Sequence, residues 1–258
     1  MPWMFGKTVI YQLKNEFGNF SVEELDYEGR PARVLFSGPL HAAQSGIPLD
    51  DNPRLLFDYN RRLLELAIDL SPKKILILGG GTLTLPTAIL NSLPVSEITV
   101  VEINKDLINI AEKYFDYKPD KRLIVVIGDA FKFVKTNKEE FDLIITDIYN
   151  NFTIPQPFRG TLFARELSHL LKNKGTVVTN CISGISGVQA KPLKELVRSY
   201  SSAIGAVKVV QASNNNIDWF PQNLIVMAHK GGEIEGDLLR GCSEISLSEL
   251  ITDDNTRY

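Results

Sequence analysis

The sequence predicts an α/β fold: a seven-stranded, mostly parallel sheet with helices on both faces, preceded by a small antiparallel β module. Three observations carry this. From Lys73 onward, apolar runs rich in Ile and Val alternate with helix-compatible segments, the pattern of a parallel sheet covered on both sides. The last two apolar runs are joined by SNNNIDWFPQ with no helix between them, so they pair antiparallel and close the sheet edge with one reversed strand. Residues 7–38 instead hold short β-rich runs separated by turn residues. At 258 residues, 44% of them hydrophobic, the chain is long enough to bury the core such a sheet needs.

In chain order, Thr8 to Leu13, Asn19 to Leu25 and Ala32 to Phe36 read as strands, with Glu28-Gly29-Arg30-Pro31 as a hairpin connection. Gly38 to Asp51 (GPLHAAQSGIPLDD) reads as a connection, either a plain linker or a loop over a site, since it carries His41 and Gln44. Residues 1–51 thus form the β module and its connecting loop. At Asn52-Pro53 a helix is predicted, with an Asn cap and Pro in the first turn. Its apolar stripe is Leu55, Leu56, Tyr59, Leu63, Leu66, Ala67 and Leu70, leaving Arg54, Arg61 and Arg62 as a solvated face or a phosphate clamp. The main domain spans 52–230, with strands at 74–79, 97–103, 122–128, 141–147, 175–182, 206–212 and 223–229. Helices are predicted near 84–92, 104–115, 130–136, 160–172 and 188–204. Residues 231–258 read as a charged, peripheral tail.

Several classes are disfavoured. A net charge of −3 gives no basic field for nucleic acid or an anionic membrane. No apolar run nears the roughly 18 residues of a membrane span, and MPWMFGKTV lacks the layout of a signal peptide. Cys181 and Cys242 have no metal-ligand spacing, and Cys181 sits in an apolar run as a small hydrophobe. A cytoplasmic protein without a metal is the expectation.

The chemistry concentrates in Lys73 to Glu102, where an apolar run meets Gly79-Gly80-Gly81, a helix follows, and a second run ends on Glu102. That is the front half of a nucleotide-binding unit, with Glu102 placed to accept from a ribose diol. A GxGxxG fingerprint fails at Thr84, which counts against an NAD-dependent dehydrogenase. In such sheets the ligand crosses the carboxyl ends of the strands, which brings in Asp129 after the third and Asp147-Ile148-Tyr149-Asn150 after the fourth. Asp129 suits either the exocyclic amine of adenine or a helix N-cap. Asp147 suits either a proton acceptor or a strand-end cap, and the NNFTIPQP stretch after Tyr149 either a closing or a static loop. Of the histidines, only His41 lies near a candidate site residue.

The runs GGGTLTLP, VVEINKDLINIAEKYF, VVIGDAFKFV and FDLIITDIYN resemble the spermidine synthase family of aminopropyltransferases. The resemblance covers nearly the whole chain and implies a Rossmann-like, class I methyltransferase-type sheet behind a small β domain. It implies that Gly79, Gly80 and Gly81 shape the nucleoside turn, that Glu102 binds ribose and Asp129 adenine, and that Thr82, Ile103 and Ala130 belong to the same set. Asp147 matches the family's catalytic aspartate, with Tyr149 beside it. Gln44, Tyr59 and Asn150 fall at acceptor or loop positions. The implied activity is aminopropyl transfer from decarboxylated S-adenosylmethionine to a small-molecule amine of polyamine type, by a homo-oligomer (dimer or tetramer). Two departures mark a divergent GGG-x-LTLP branch: Thr82 replaces an acid after the glycines, and Asn150 replaces the second acid of the fourth-strand motif. An ammonium taken out of water needs a counter-charge or strong acceptors. The lost acids therefore keep open a methyltransferase using S-adenosylmethionine itself, and, from another class, a non-catalytic nucleoside-binding module.

Overall fold

The computed structural model describes residues 6–150, 152–213, 218–234, 238–239 and 241–252. Four N-terminal strands, β1 (Thr8–Asn15), β2 (Gly18–Tyr27), β3 (Arg30–Ser37) and β4 (Ala42–Pro48), form an antiparallel sheet in sequential order. The fourth strand corrects the expectation of a connection at 38–51. Its glycine and proline resemble loop punctuation, but Pro48 is the last residue of the strand and Gly46 serves close packing. A Cβ on Gly46 would stand 2.5 Å from Leu56 Cδ2.

The predicted helix start at Asn52 is also corrected, because α1 runs from Asp58 to Leu70 with Phe57 at its cap. Carbonyls that a helix would pair internally are taken by two arginines. Arg30 donates to the Asn52 and Arg54 oxygens at 2.9 and 3.1 Å, and Arg61 to those of Leu55 and Leu56 at 2.6 and 2.8 Å. Leu55, Leu56 and Phe57 become a buried plug, with Leu56 and Phe57 packed against the β module. Arg61 is thus a structural clamp on the chain itself, and Arg62 pairs with Glu65 at 2.7 Å.

The main domain continues as β5 (Lys74–Leu78), α2 (Thr84–Ser92), β6 (Glu97–Glu102), α3 (Lys105–Tyr114), β7 (Leu123–Ile127), α4 (Ala130–Thr136) and β8 (Phe141–Thr146). It then runs through α5 (Thr161–Leu170), β9 (Leu171–Ser183), α6 (Lys191–Ala203), β10 (Ala206–Gln211) and β11 (Gln222–His229). The sheet order is β10-β11-β9-β8-β5-β6-β7. All pairs are parallel except those of β11, which runs against both β10 and β9, as the missing helix requires. The strand order reverses at β5 and β8, the place where an open α/β sheet offers a crevice. Two large apolar clusters cover the two faces of this sheet.

The tail is less peripheral than its charge suggests. Ile245 donates its backbone N–H to Val209 O at 2.9 Å, and Ile245 and Leu250 are buried. Among the described residues no helix is long and apolar enough to cross a membrane.

Candidate active site

A cleft of about 1050 Å³ opens over the carboxyl ends of β5, β6, β7 and β8, with the β module along one rim. The half around the glycine turn is built from backbone geometry. Gly79 has φ +91°, and a Cβ there would stand 2.3 Å from the backbone oxygen of Asp147, so only glycine lets β5 and β8 end this close together. Glu102 then fixes the turn. Its Oε2 accepts from Gly80 N and Gly81 N, both at 2.9 Å, and its Oε1 from Asn104 N at 2.9 Å. Ile103, half exposed, offers an apolar face beside it, and Asp129 and Ala130 line the far wall.

Asp129 caps α4, accepting from Lys132 N at 2.7 Å, while its side chain stays on the cleft surface. The two readings of that residue are compatible. Thr82 is corrected: it is wholly buried, its hydroxyl lies 3.1 Å from that of Thr84, and it does not line the cleft. The turn rotates this side chain into the protein because Leu83 behind it adopts a left-handed backbone (φ 58°) and buries fully. Ser45, missed by sequence reasoning, reaches from β4 to Thr82 N at 3.3 Å and ties the β module to the turn.

The other half centres on Asp147. Burial pushes its carboxyl from 3.8 to about 6, opposed by hydrogen bonding from Asn180 and Tyr59 and reinforced by the negative charge of Glu102. Asn180 donates to Asp147 Oδ1 at 3.0 Å. Burial also raises the Tyr59 hydroxyl well above its ordinary range. A carboxyl titrating near neutrality, open to a cleft, can exchange protons with a bound amine. Gln44 on β4 and Asn150 after β8 also line this half.

Tyr149 departs from its expected place in the chemistry. Its hydroxyl donates to Asn180 O at 2.7 Å and accepts from Ile182 N at 2.9 Å, so it latches the β8 loop to β9. Tyr149→Phe should lower stability by about 1–3 kcal/mol, the cost of two buried backbone groups left unpaired. Denaturant unfolding checks this, and the pH profile of activity should keep its midpoint. A shifted midpoint would return Tyr149 to proton transfer.

His41 is drawn into the β module, stacked on Phe36 with its Nε2 2.7 Å from Glu23 Oε1, so it serves that sheet. Cys181 is fully buried, with its thiol pushed up to about 12. Among the described residues no cluster of His, Cys, Asp or Glu is arranged to hold a metal ion. Sequence reasoning also missed Asn60, Asn180 and Asn223. Asn180 had a legible signal, a lone amide inside the apolar run TVVTNCIS.

A polyamine aminopropyltransferase of Vibrio vulnificus is 30% identical over 225 residues, covering 84% of this chain and 73% of that protein. A Drosophila melanogaster eEF1A lysine and N-terminal methyltransferase homolog is 25% identical, covering 74% of this chain and 33% of that protein. The fold matches the crystal structure of a probable spermidine synthase from Corynebacterium glutamicum with a TM-score of 0.74 at 22% identity, covering 86% of this chain and 80% of that one. Residues 57–230 match the Spermine/spermidine synthase domain, two-thirds of the chain and every strand of the crevice. With that match and the Vibrio relative beside the glycine turn, Glu102 and Asp147, the chain belongs to the spermine/spermidine synthase family.

Proposed function

We propose that this chain is an aminopropyltransferase that uses decarboxylated S-adenosylmethionine and a small primary amine. The observation that carries the reading is Asp147, a carboxyl held near neutrality between the glycine turn and an amide-lined wall. Similarity to the Vibrio aminopropyltransferase supports the same reaction type.

The residues present fit the nucleoside. Glu102 spends three acceptor positions on backbone N–H groups, and a carboxylate has about four, so Oε1 retains capacity for a ribose hydroxyl. Ile103 offers the adenine an apolar face, and Asp129 an acceptor for its amine. The donor supplies a carbon made electrophilic by sulfonium, whose C–S electrons leave on a neutral thioether. Asp147 takes the proton that an ammonium acceptor must lose before its lone pair is free, since such a group ordinarily holds it to near pH 10. Asn180 and Tyr59 hold that carboxylate in position, and the cleft walls supply orientation, from which much of the acceleration comes.

The test supplies the protein with decarboxylated S-adenosylmethionine or S-adenosylmethionine, each with a panel of primary amines, and follows products by mass spectrometry. Amine-dependent release of 5′-methylthioadenosine from the decarboxylated donor is expected. Methyl transfer with no aminopropyl product would replace this reading by the methyltransferase one, which similarity to the Drosophila protein favours. Nucleoside binding without turnover of either donor would leave a binding module.

A further inference from the structure

The cleft is lined by six carboxylates, Glu16, Glu28, Asp58, Glu102, Asp129 and Asp147, and among the described residues by no Lys, Arg or His. A cleft of this charge favours a ligand that carries positive charge at more than one point. Five of the six are already engaged. Glu102 holds the glycine turn, Asp129 caps α4, and Asp147 is the proton acceptor of the proposed reaction. Asp58 is ion-paired with Arg61. Glu16 follows Asn15, whose side chain donates to Asn104 and Asp106 at the start of α3, so it stands at the nucleoside end. Glu28 is left, exposed and with no hydrogen bond or ion pair among the described residues.

Glu28 also goes against the preference of its own turn. With Gly29 it makes the two-residue connection between β2 and β3, at φ 52° and 83°. Such turns favour Asn, Asp or Gly at the first position, because a longer side chain is poorly tolerated at positive φ. Nor does the turn use the Glu28 carboxylate, since it is Asp26 that accepts from Gly29 N, at 2.7 Å.

An aromatic lane joins Glu28 to Asp147. The Tyr59 hydroxyl hydrogen-bonds Asp147, Phe57 stacks on Tyr59 with ring centroids 6.0 Å apart, and Tyr27 meets Phe57 edge-on at 5.4 Å. Glu28 is the next residue after Tyr27, and the whole series lines the cleft. Aromatic rings suit a methylene chain and its ammonium ends. At the Asp147 end, Asn60 and Asn180 are 5% and 2% exposed and line the cleft, and the Oδ1 of each has no hydrogen-bond partner among the described residues. Buried acceptors of this kind are met by a ligand or water, and the N–H groups of an amine fit them. Arg61 is attracted by Glu28 but is held off the cleft by the Leu55 and Leu56 carbonyls and by Asp58.

Resting on the aminopropyl-transfer reading, we infer that Glu28 is the specificity-determining residue of the acceptor site. Its carboxylate holds the far ammonium of a diamine whose near amine lies at Asp147, with the methylene chain along Tyr59, Phe57 and Tyr27. The small β module thus selects the acceptor, while the sheet domain binds the nucleoside.

The experiment is a calorimetric titration of the full chain saturated with 5′-methylthioadenosine, or with S-adenosylhomocysteine if only that nucleoside binds. The titrants are 1,4-diaminobutane, 1,5-diaminopentane and 4-amino-1-butanol at pH 8, where each amine is protonated. Wild type should bind 1,4-diaminobutane about tenfold tighter than the amino alcohol, the scale of a charge-assisted hydrogen bond at a rim. Glu28→Gln should bring that ratio to about one by weakening the diamine alone, with thermal unfolding unchanged. Glu28→Asp keeps the charge and suits the turn better, so it should retain a diamine preference, shifted toward 1,5-diaminopentane because its carboxylate is one methylene shorter. Glu97→Gln, the same charge change at the opposite end of the sheet, should leave the ratio as in wild type. A ratio in Glu28→Gln equal to wild type overturns the inference, as does loss of diamine preference in Glu28→Asp or no binding of any amine. Affinity is read without turnover, so product analysis decides the reaction separately. Aminopropyl product with no dependence on Glu28 sinks this inference alone, and Glu28-dependent diamine binding with no such product sinks the transfer reading alone.

Discussion

Asp147→Asn yields a protein that is inactive yet more stable at neutral pH. Removing the proton acceptor should cut kcat/KM by about 10² to 10⁴-fold. Stability moves the other way because the wild-type carboxyl is held at about 6 against 3.8 outside the fold, mainly by burial. Between those values the folded protein keeps a proton that the unfolded chain has lost, so wild-type stability falls as pH rises from about 4 to about 6. The full interval corresponds to a ceiling of about 3 kcal/mol, which the amide variant should largely recover above pH 6 and not below pH 4. Wild-type activity should rise through the same window, since transfer needs the ionised form. Thermal unfolding across pH 4 to 8 reads the first effect. A pH–stability slope equal in the two proteins would show that Asp147 is solvated and sink the account of its role.

Gly79→Ala should be the most destabilising single methyl in the crevice. The residue sits at φ +91°, where an L side chain costs about 1–3 kcal/mol, and its Cβ would meet Asp147 O at 2.3 Å and Asp147 C at 2.9 Å. These are backbone atoms at the end of β8 and cannot rotate aside, so β5 and β8 must separate, adding about 1–3 kcal/mol of overpacking. A total near 4 kcal/mol is expected from denaturant unfolding, with nucleoside affinity falling too. Gly128→Ala is the control. A Cβ there has nothing within 4 Å, so its unfolding midpoint should stay close to wild type. Similar midpoints for the two variants would remove the close-approach argument.

Much of the fold was legible because its signals are local. The Ile- and Val-rich runs fixed seven strands to within a few residues, and the helix-free SNNNIDWFPQ connection fixed the reversed one. The cleft-lining positions of Gly79, Gly80, Gly81, Glu102 and Asp129 were legible for the same reason, with glycines and acids interrupting apolar runs at the points where the sheet must end. The errors arose where distant side chains overrode local preference. Asn52-Pro53 is sound helix punctuation, yet Arg30 and Arg61 take the carbonyls that a helix would need. Residues 42–48 carry loop-like composition but pair with β3, since Gly46 lets Leu56 approach.

The sheet and the placing of the glycine turn, Glu102, Asp129 and Asp147 at its strand ends could be read from the chain alone, because each is written into a strand and the few residues that follow it. Only the tertiary structure decided what surrounds them. It buried Thr82, spent the Tyr149 hydroxyl on β9, turned the Asn180 amide toward Asp147 and brought Asn60 and Asn223 into the same cleft. The physical reason is range. Strand and turn preferences act over a few residues, whereas the desolvation of Asp147 and the partners of Asn60, Asn180 and Asn223 depend on segments tens of residues apart being packed into one wall.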